Sequence, residues 1–260
     1  MKIIALALGL FVCVNAQAKL VTKRLEYKDG SAVLEGYLAY DDARKGKRPG
    51  VLVVHEWTGE GDYVQERARM LASLGYVAFA ADIYGKGIRP SAPKEAGALA
   101  TKYKSDRLLM RSRALAGLEV LKGQPMVDAS RLAAIGYCFG GTTVLELARS
   151  GADLKGVVSF HGGLSTSMPA EPGKVRAKVV AYHGAEDPNV PAEEVRAFLD
   201  EMRKAKADWV FTQYANAVHA FTNPHMKGKN AYPGSAEYNS EADRRSWASL
   251  QDFLKEWLGT

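Results

Sequence analysis

Hydrophobic and polar residues alternate along positions 21–27 and again along 33–40, on either side of Lys28-Asp29-Gly30-Ser31. Period-two alternation around such a turn predicts an antiparallel strand pair. The pattern then changes. Gly50-Val51-Leu52-Val53-Val54-His55 is a short apolar run of the kind that marks a strand covered on both faces. Residues 76–81, 132–136, 156–160, 178–183 and 209–214 are read as further strands. Helical periodicity fills 62–74, 105–122, 141–149, 191–206 and 239–258. In 105–122 the apolar face is assigned to Leu108, Leu109, Leu115, Leu118 and Leu121. In 239–258 it is assigned to Trp247, Leu250, Leu254 and Trp257. Residues 88–97, with Pro, Ser and Gly, read as an irregular excursion. Strands alternating with helices predict an α/β fold in one domain over 19–260. It would have a mostly parallel central sheet of about eight strands with helices on both faces. Ligands in such folds bind beyond the C-terminal ends of the strands, so chemistry is sought there.

Composition adds exclusions. The 260 residues are 47% hydrophobic and 25% charged, unlike a disordered chain or a multi-pass membrane protein. Lys and Arg number 35 against 29 Asp and Glu, with no basic run, so no nucleic-acid partner is expected. The first residues add a destination. Met1-Lys2 is a basic start, residues 3–14 are almost wholly apolar, and Ala16-Gln17-Ala18 has the small-residue pattern of a cleavage site. Residues 1–18 therefore read as a secretory signal peptide, which places the mature chain in the periplasm or outside the cell with no membrane anchor. Cleavage would remove Cys13 and leave Cys138 as the one cysteine, so no internal disulfide is expected.

Gly136-Tyr137-Cys138-Phe139-Gly140-Gly141 lies between a strand and a helix. It has the spacing of the α/β-hydrolase nucleophile elbow, with cysteine where serine is usual. A tight strand-to-helix turn exposes the nucleophile, and the flanking positions are too close to backbone for side chains. The helix N-terminus beyond it favours thiolate and oxyanion. The competing reading is a buried cysteine in a Gly-rich turn. The partners follow in hydrolase order, nucleophile, acid, histidine. Asp187 lies just beyond strand 178–183, and His219 lies in the loop beyond strand 209–214. Alternatively, Asp187 caps the next helix and His219 is a polar loop residue. Glu56 follows the strand ending at Val54 and stands either beside the nucleophile or as a cap near Asp62. The backbone N–H groups of Trp57 and Phe139 are assigned to an oxyanion hole. No histidine pair has the helical spacing of a zinc site and no phosphate-binding glycine fingerprint follows a strand. No metal and no cofactor are therefore expected.

Gly-x-Cys-x-Gly-Gly, the strand-end Glu56, Asp82-Ile83-Tyr84, the Asp187 turn and His219-Ala220-Phe221 together resemble the dienelactone hydrolase family over nearly the whole mature chain. The resemblance implies an α/β-hydrolase fold and a triad of Cys138, His219 and Asp187. It also implies a glutamate, Glu56, that interacts with the cysteine and is held aside until substrate binds. Members that cleave dienelactone hold its carboxylate with two arginines. Lys86 and Asn223 stand at those places here, and Arg89 lies nearby as a possible substitute.

The resulting expectation is a hydrolase of small carboxylic esters or lactones. The alternative is a non-catalytic binding or thiol redox-sensing protein on a hydrolase scaffold. The leader reading has its own test. Mass spectrometry of protein recovered from the periplasm or medium should find Lys19 as the N-terminal residue, and an intact Met1 there would contradict it.

Overall fold

The computed structural model describes residues 19–259. The expected leader, 1–18, lies outside the described residues. Eight strands form one sheet in the order β1-β2-β4-β3-β5-β6-β7-β8. β1 (Leu20–Asp29) and β2 (Ala32–Asp41) form the expected antiparallel hairpin. Gly30 at φ 59 provides its tight turn. β2 also runs antiparallel to β4 (Val77–Ala81). From β4 onward every pairing is parallel, through β3 (Arg48–Val54), β5 (Val127–Tyr137), β6 (Gly156–Phe160), β7 (Lys178–Gly184) and β8 (Trp209–Tyr214).

Alternation within each strand divides the core into two layers. Leu52 and Val54 of β3 join one apolar cluster. Val51 and Val53 join the other. The first is covered by α2 (Pro93–Ser105), α3 (Arg107–Lys122), α4 (Phe139–Ser150) and α5 (Ala192–Lys204). The second is covered by α1 (Asp62–Ser73) and α6 (Ser240–Leu258). Helices on both faces leave the C-terminal ends of the parallel strands open for a site.

Three details differ from the sequence pattern. The excursion at 88–97 runs directly into α2, which was read as irregular. Pro93 occupies the first helical turn, where its missing N–H costs nothing. Ala96, Ala100 and Tyr103 are its buried face. β5 begins at Val127, because Arg48 and Pro49 pair with Val127 and Asp128 before a bulge at Pro49/Gly50. Of the assigned leucine stripe on α3, Leu118 and Leu121 are buried and Leu109 is partly buried, but Leu108 and Leu115 are not; Met110, Ala114 and Gly117 complete the buried face. Leu108 is 65% exposed and Leu115 37% exposed. Small residues win that face because α3 lies close on the sheet: a Cβ on Gly117 would stand 2.7 Å from the Ala81 Cβ.

This corrected face has an energetic signature. Leu118→Ala should cost about 2–5 kcal/mol in urea unfolding, because it leaves a cavity in the core. Leu108→Ala should change stability by no more than about 0.5 kcal/mol. Equal losses at both positions would contradict the assignment.

Candidate active site

β5 ends at Tyr137 and α4 begins at Phe139, so Cys138 alone makes the turn. Its backbone is at φ 55, ψ −114, a region L-residues rarely adopt. Steric contacts on both sides explain why. A Cβ on Gly136 would lie 2.0 Å from the Gly140 carbonyl oxygen, and one on Gly140 would lie 2.2 Å from the Val54 carbonyl oxygen. The strain, on the order of 1–3 kcal/mol, persists because hydrogen bonds over-determine the turn. Cys138 N–H donates to the Phe160 carbonyl at 3.0 Å, and Thr142 N–H donates to the Cys138 carbonyl at 3.2 Å.

His219 lies beyond β8. Its backbone N–H donates to the Ser235 carbonyl at 3.1 Å, and its carbonyl accepts from Glu237 N–H at 3.0 Å. Its Nδ1 stands 2.8 Å from Asp187 Oδ2. The Asp187 side chain is fully buried. Its other oxygen accepts from the Asn189 backbone N–H at 2.9 Å and side-chain amide at 3.1 Å. Burial raises the Asp187 pKa, yet the hydrogen bond and charge of His219 and the Asn189 N–H together hold it below the usual value. Burial opposes charge on His219 as well. The Cys138 charge and hydrogen bonds to Asp187 and Cys138 overcome that and push its pKa up to about 10. A charged imidazole held beside Asp187 and Cys138 is what this geometry favours. Asp187 does not cap α5, whose N-cap is Pro191 without a side-chain bond.

A cavity of about 420 Å³ opens beside these groups, lined by Glu56, Trp57, Cys138, Phe139, His219 and Asn223 among others. Neither the Trp57 nor the Phe139 backbone N–H meets an acceptor among the described residues. The loop carrying Trp57 is fixed by other atoms. Tyr84 donates its hydroxyl to the Trp57 carbonyl at 3.0 Å. His55 Nε2 accepts from Ile83 N–H at 3.1 Å, and its Nδ1 lies 2.6 Å from the Glu56 carbonyl. Burial lowers the His55 pKa to about 4, so this ring acts as a neutral brace. Glu56 does not cap α1; the N-cap is Gly61. Glu56 Oε2 instead accepts from the Asn223 side-chain amide at 2.7 Å. Burial raises the Glu56 pKa to about 6, against the lowering influence of Asn223, His219 and Arg67.

The dienelactone hydrolase family profile matches residues 34–258. The chain belongs to the dienelactone hydrolase family. It is a hydrolase of that family, acting on small molecules. A structure described as a dienelactone hydrolase-like promiscuous phosphotriesterase, P91, from metagenomic libraries is 40% identical. The match covers 93% of this chain and 99% of that one, with a TM-score of 0.84. Another, described as m3DLH, is 42% identical over 92% of this chain and 99% of that one, with a TM-score of 0.87. A Methylorubrum extorquens protein provisionally named a carboxymethylenebutenolidase is 27% identical, with 90% of this chain and 80% of that protein covered.

Of the residues expected to hold a substrate carboxylate, Lys86, Arg89 and Asn223, only Asn223 lines the cavity. Lys86 does not line the cavity; its Nζ pairs with Glu26 on the surface. Arg89 does not line it either. Its guanidinium pairs with buried Glu60 at 2.9 Å and donates to the Ile88 carbonyl. Asn223 reaches the cavity, but both its polar side-chain atoms are engaged, the amide with Glu56 and the oxygen with His225 N–H. Lys104, on the unanticipated helix α2, is the one Lys or Arg among the described lining residues. The sequence marks His161 as a strand-end histidine among those that could line the pocket, and it gives no signal at Thr222. Among the described residues, no cluster of three or more His, Cys, Asp or Glu could hold a metal ion. No described helix is long and apolar enough to cross a membrane.

The raised Glu56 pKa has a measurable consequence. Between its ordinary value of 4.5 and about 6, the folded state binds more protons than the unfolded state. Stability therefore falls as pH rises through that window. Glu56→Gln keeps an acceptor for Asn223 and cannot ionise. It should gain up to about 2 kcal/mol over the parent above the window and nothing below it, read by urea unfolding at several pH values. A difference that does not vary with pH would contradict the assignment.

Proposed function

We propose that the protein hydrolyses small carboxylic esters or lactones through Cys138, His219 and Asp187, with a thioester intermediate. The observation that carries this reading is the convergence at His219: bonded to Asp187 at 2.8 Å, it lines one cavity together with Cys138, whose electrostatic attraction reaches it.

Cys138 thiolate attacks the carbonyl carbon, and the carbonyl π electrons move to oxygen. The Trp57 and Phe139 N–H groups bind that oxyanion, which strengthens in the transition state. On collapse the ester C–O bond breaks, and His219 gives its proton to the departing alkoxide or enolate. Water then enters, His219 removes its proton, and hydroxide adds to the thioester. The C–S bond breaks and thiolate returns. Asp187 keeps the tautomer of His219 and offsets the imidazolium charge. Asn223 holds Glu56 at the cavity wall, which supports a Glu56 influence on the Cys138–His219 pair. The basic, apolar and small-residue pattern of residues 1–18, read as a leader, supports action in the periplasm or outside the cell. The redox-sensing alternative gives no role to a buried acid oriented on His219.

Cys138→Ala should lower kcat for p-nitrophenyl acetate by at least about 10⁴-fold, with Cys138→Ser leaving a trace. Asp187→Asn should lower it on the order of 10⁴-fold. Parent-like turnover in Cys138→Ala would show that another group carries the chemistry. Substrate charge gives a separate test. Lys86 and Arg89 are committed elsewhere, and Lys104 is an exposed point charge without a bidentate fork. Absence of two arginine contacts should weaken carboxylate binding by about 1–3 kcal/mol each. The neutral acetate should therefore exceed dienelactone in kcat/KM at one ionic strength. A tenfold preference for the lactone would contradict the neutral assignment. Because P91 is described as a promiscuous phosphotriesterase, a neutral phosphotriester belongs in the same panel.

A further inference from the structure

We propose that His161 is a positioning residue, a neutral strut that ties the Cys138 turn to the loop carrying His219 and so sets the separation of the two groups. The inference rests on the catalytic reading of Cys138 and His219 and adds a residue to it.

His161 directly follows β6 and is fully buried, with a backbone at φ 42. Its surroundings force that conformation. The next residue is Gly162, where a Cβ would stand 2.5 Å from the Ser159 hydroxyl and 2.7 Å from the Gly141 carbonyl carbon. The chain therefore turns hard against the start of α4, which brings the imidazole beside Cys138. His161 Nδ1 accepts from Cys138 N–H at 3.2 Å. That bond leaves the ring proton on Nε2, which donates to the Thr222 hydroxyl oxygen at 2.7 Å. Thr222 belongs to the loop that carries His219. The two imidazoles also touch, edge to face, with ring centroids 5.2 Å apart.

The far end of the strut is anchored. Tyr63 of α1 lies 2.7 Å from the Thr222 hydroxyl, and Arg67 donates to the Thr222 carbonyl at 2.6 Å. Arg67 pairs in turn with Asp243 of α6 at 2.6 Å. The nucleophile turn and the histidine loop, distant in sequence, are thus joined through one ring and grounded on two helices. The Cys138 N–H already has the Phe160 carbonyl, so His161 is not needed merely to satisfy that donor. A ring that must accept at Nδ1 and donate at Nε2 has to be neutral. Burial and the adjacent charge on His219, with Arg67 and His183 adding to it, hold its pKa well below the usual histidine value.

The test cuts the His161–Thr222 link from each end. His161→Asn tolerates the left-handed backbone and keeps a short acceptor near Cys138, but does not reach Thr222. Thr222→Val removes the acceptor at nearly equal volume. Thr222→Ser restores the hydroxyl. Circular dichroism and urea unfolding identify the variants that remain folded. A displacement of about 1 Å between reacting groups costs on the order of 10²-fold, so His161→Asn and Thr222→Val should each lower kcat for p-nitrophenyl acetate by about that factor. KM should stay within about threefold. Each variant should also bring the His219 titration midpoint, followed by NMR of the imidazole, down from about 10. The double variant should be no worse than either single one, because one link is cut twice. Thr222→Ser should behave like the parent. An unmoved His219 midpoint in folded Thr222→Val, or effects that multiply in the double variant, would overturn the strut. A shifted midpoint with unchanged kcat would uphold the strut and count instead against His219 as the catalytic base.

Discussion

The backbone at Gly140 passes so close to the end of β3 that a side-chain carbon there would lie 2.2 Å from the Val54 carbonyl oxygen. Much of the site follows from this approach. It brings the first turn of α4 against the loop after β3, so Phe139 and Trp57 line the same cavity as Cys138. It requires glycine at 136 and 140 and confines the reversal from strand to helix to one residue. That residue is driven to positive φ, and the N-terminal end of α4, with its partial positive charge, begins immediately after it. The twisted parallel sheet provides the rest. β7 lies beside β6 and β8 beside β7, all parallel, so the loops after β7 and β8 deliver Asp187 and His219 to the same edge.

Electrostatics then divides five ionisable groups among different tasks. Asp187 is buried but has three donors, so it keeps its charge. His219 stands between Asp187 and Cys138, and their attraction outweighs desolvation. His55 and His161 are buried without an adjacent carboxylate bond, so both remain neutral and serve as braces. Glu56 is buried and meets only the neutral amide of Asn223. Without a full positive charge in contact, its pKa rises to about 6.

Much of this was legible in the sequence, for identifiable reasons. Val51–Val54 and Val157–Val158 announce strands because a strand covered on both faces needs apolar residues on each. The Cys138 turn is legible because a steric requirement leaves glycines at fixed spacing, and Asp187 and His219 because strand ends at one sheet edge follow from parallel topology. What was missed depended on packing. Leu108 and Leu115 look like a core stripe, but α3 lies too close to the sheet for them, and Gly117 takes the contact. α2 hid behind Pro93 and Gly97, residues a helix tolerates at its start or at a small cost. Lys86 and Arg89 sit near a family motif in sequence, yet Glu26 and Glu60 hold them outside the cavity. Linear proximity cannot reveal an ion partner from another element. His161 was visible at the end of its strand, but its bonds to Cys138 and Thr222 join segments that no local pattern connects.

The central claim is that Cys138 forms a covalent bond to the acyl group during turnover. Acid quenching in the first turnovers with p-nitrophenyl acetate, followed by peptide mass spectrometry, tests it most directly. One acetyl group is expected on the peptide bearing Cys138, as a hydroxylamine-labile thioester that disappears in Cys138→Ala. Turnover accompanied by an acetyl group on another residue, or turnover undiminished after Cys138 is alkylated, would contradict it.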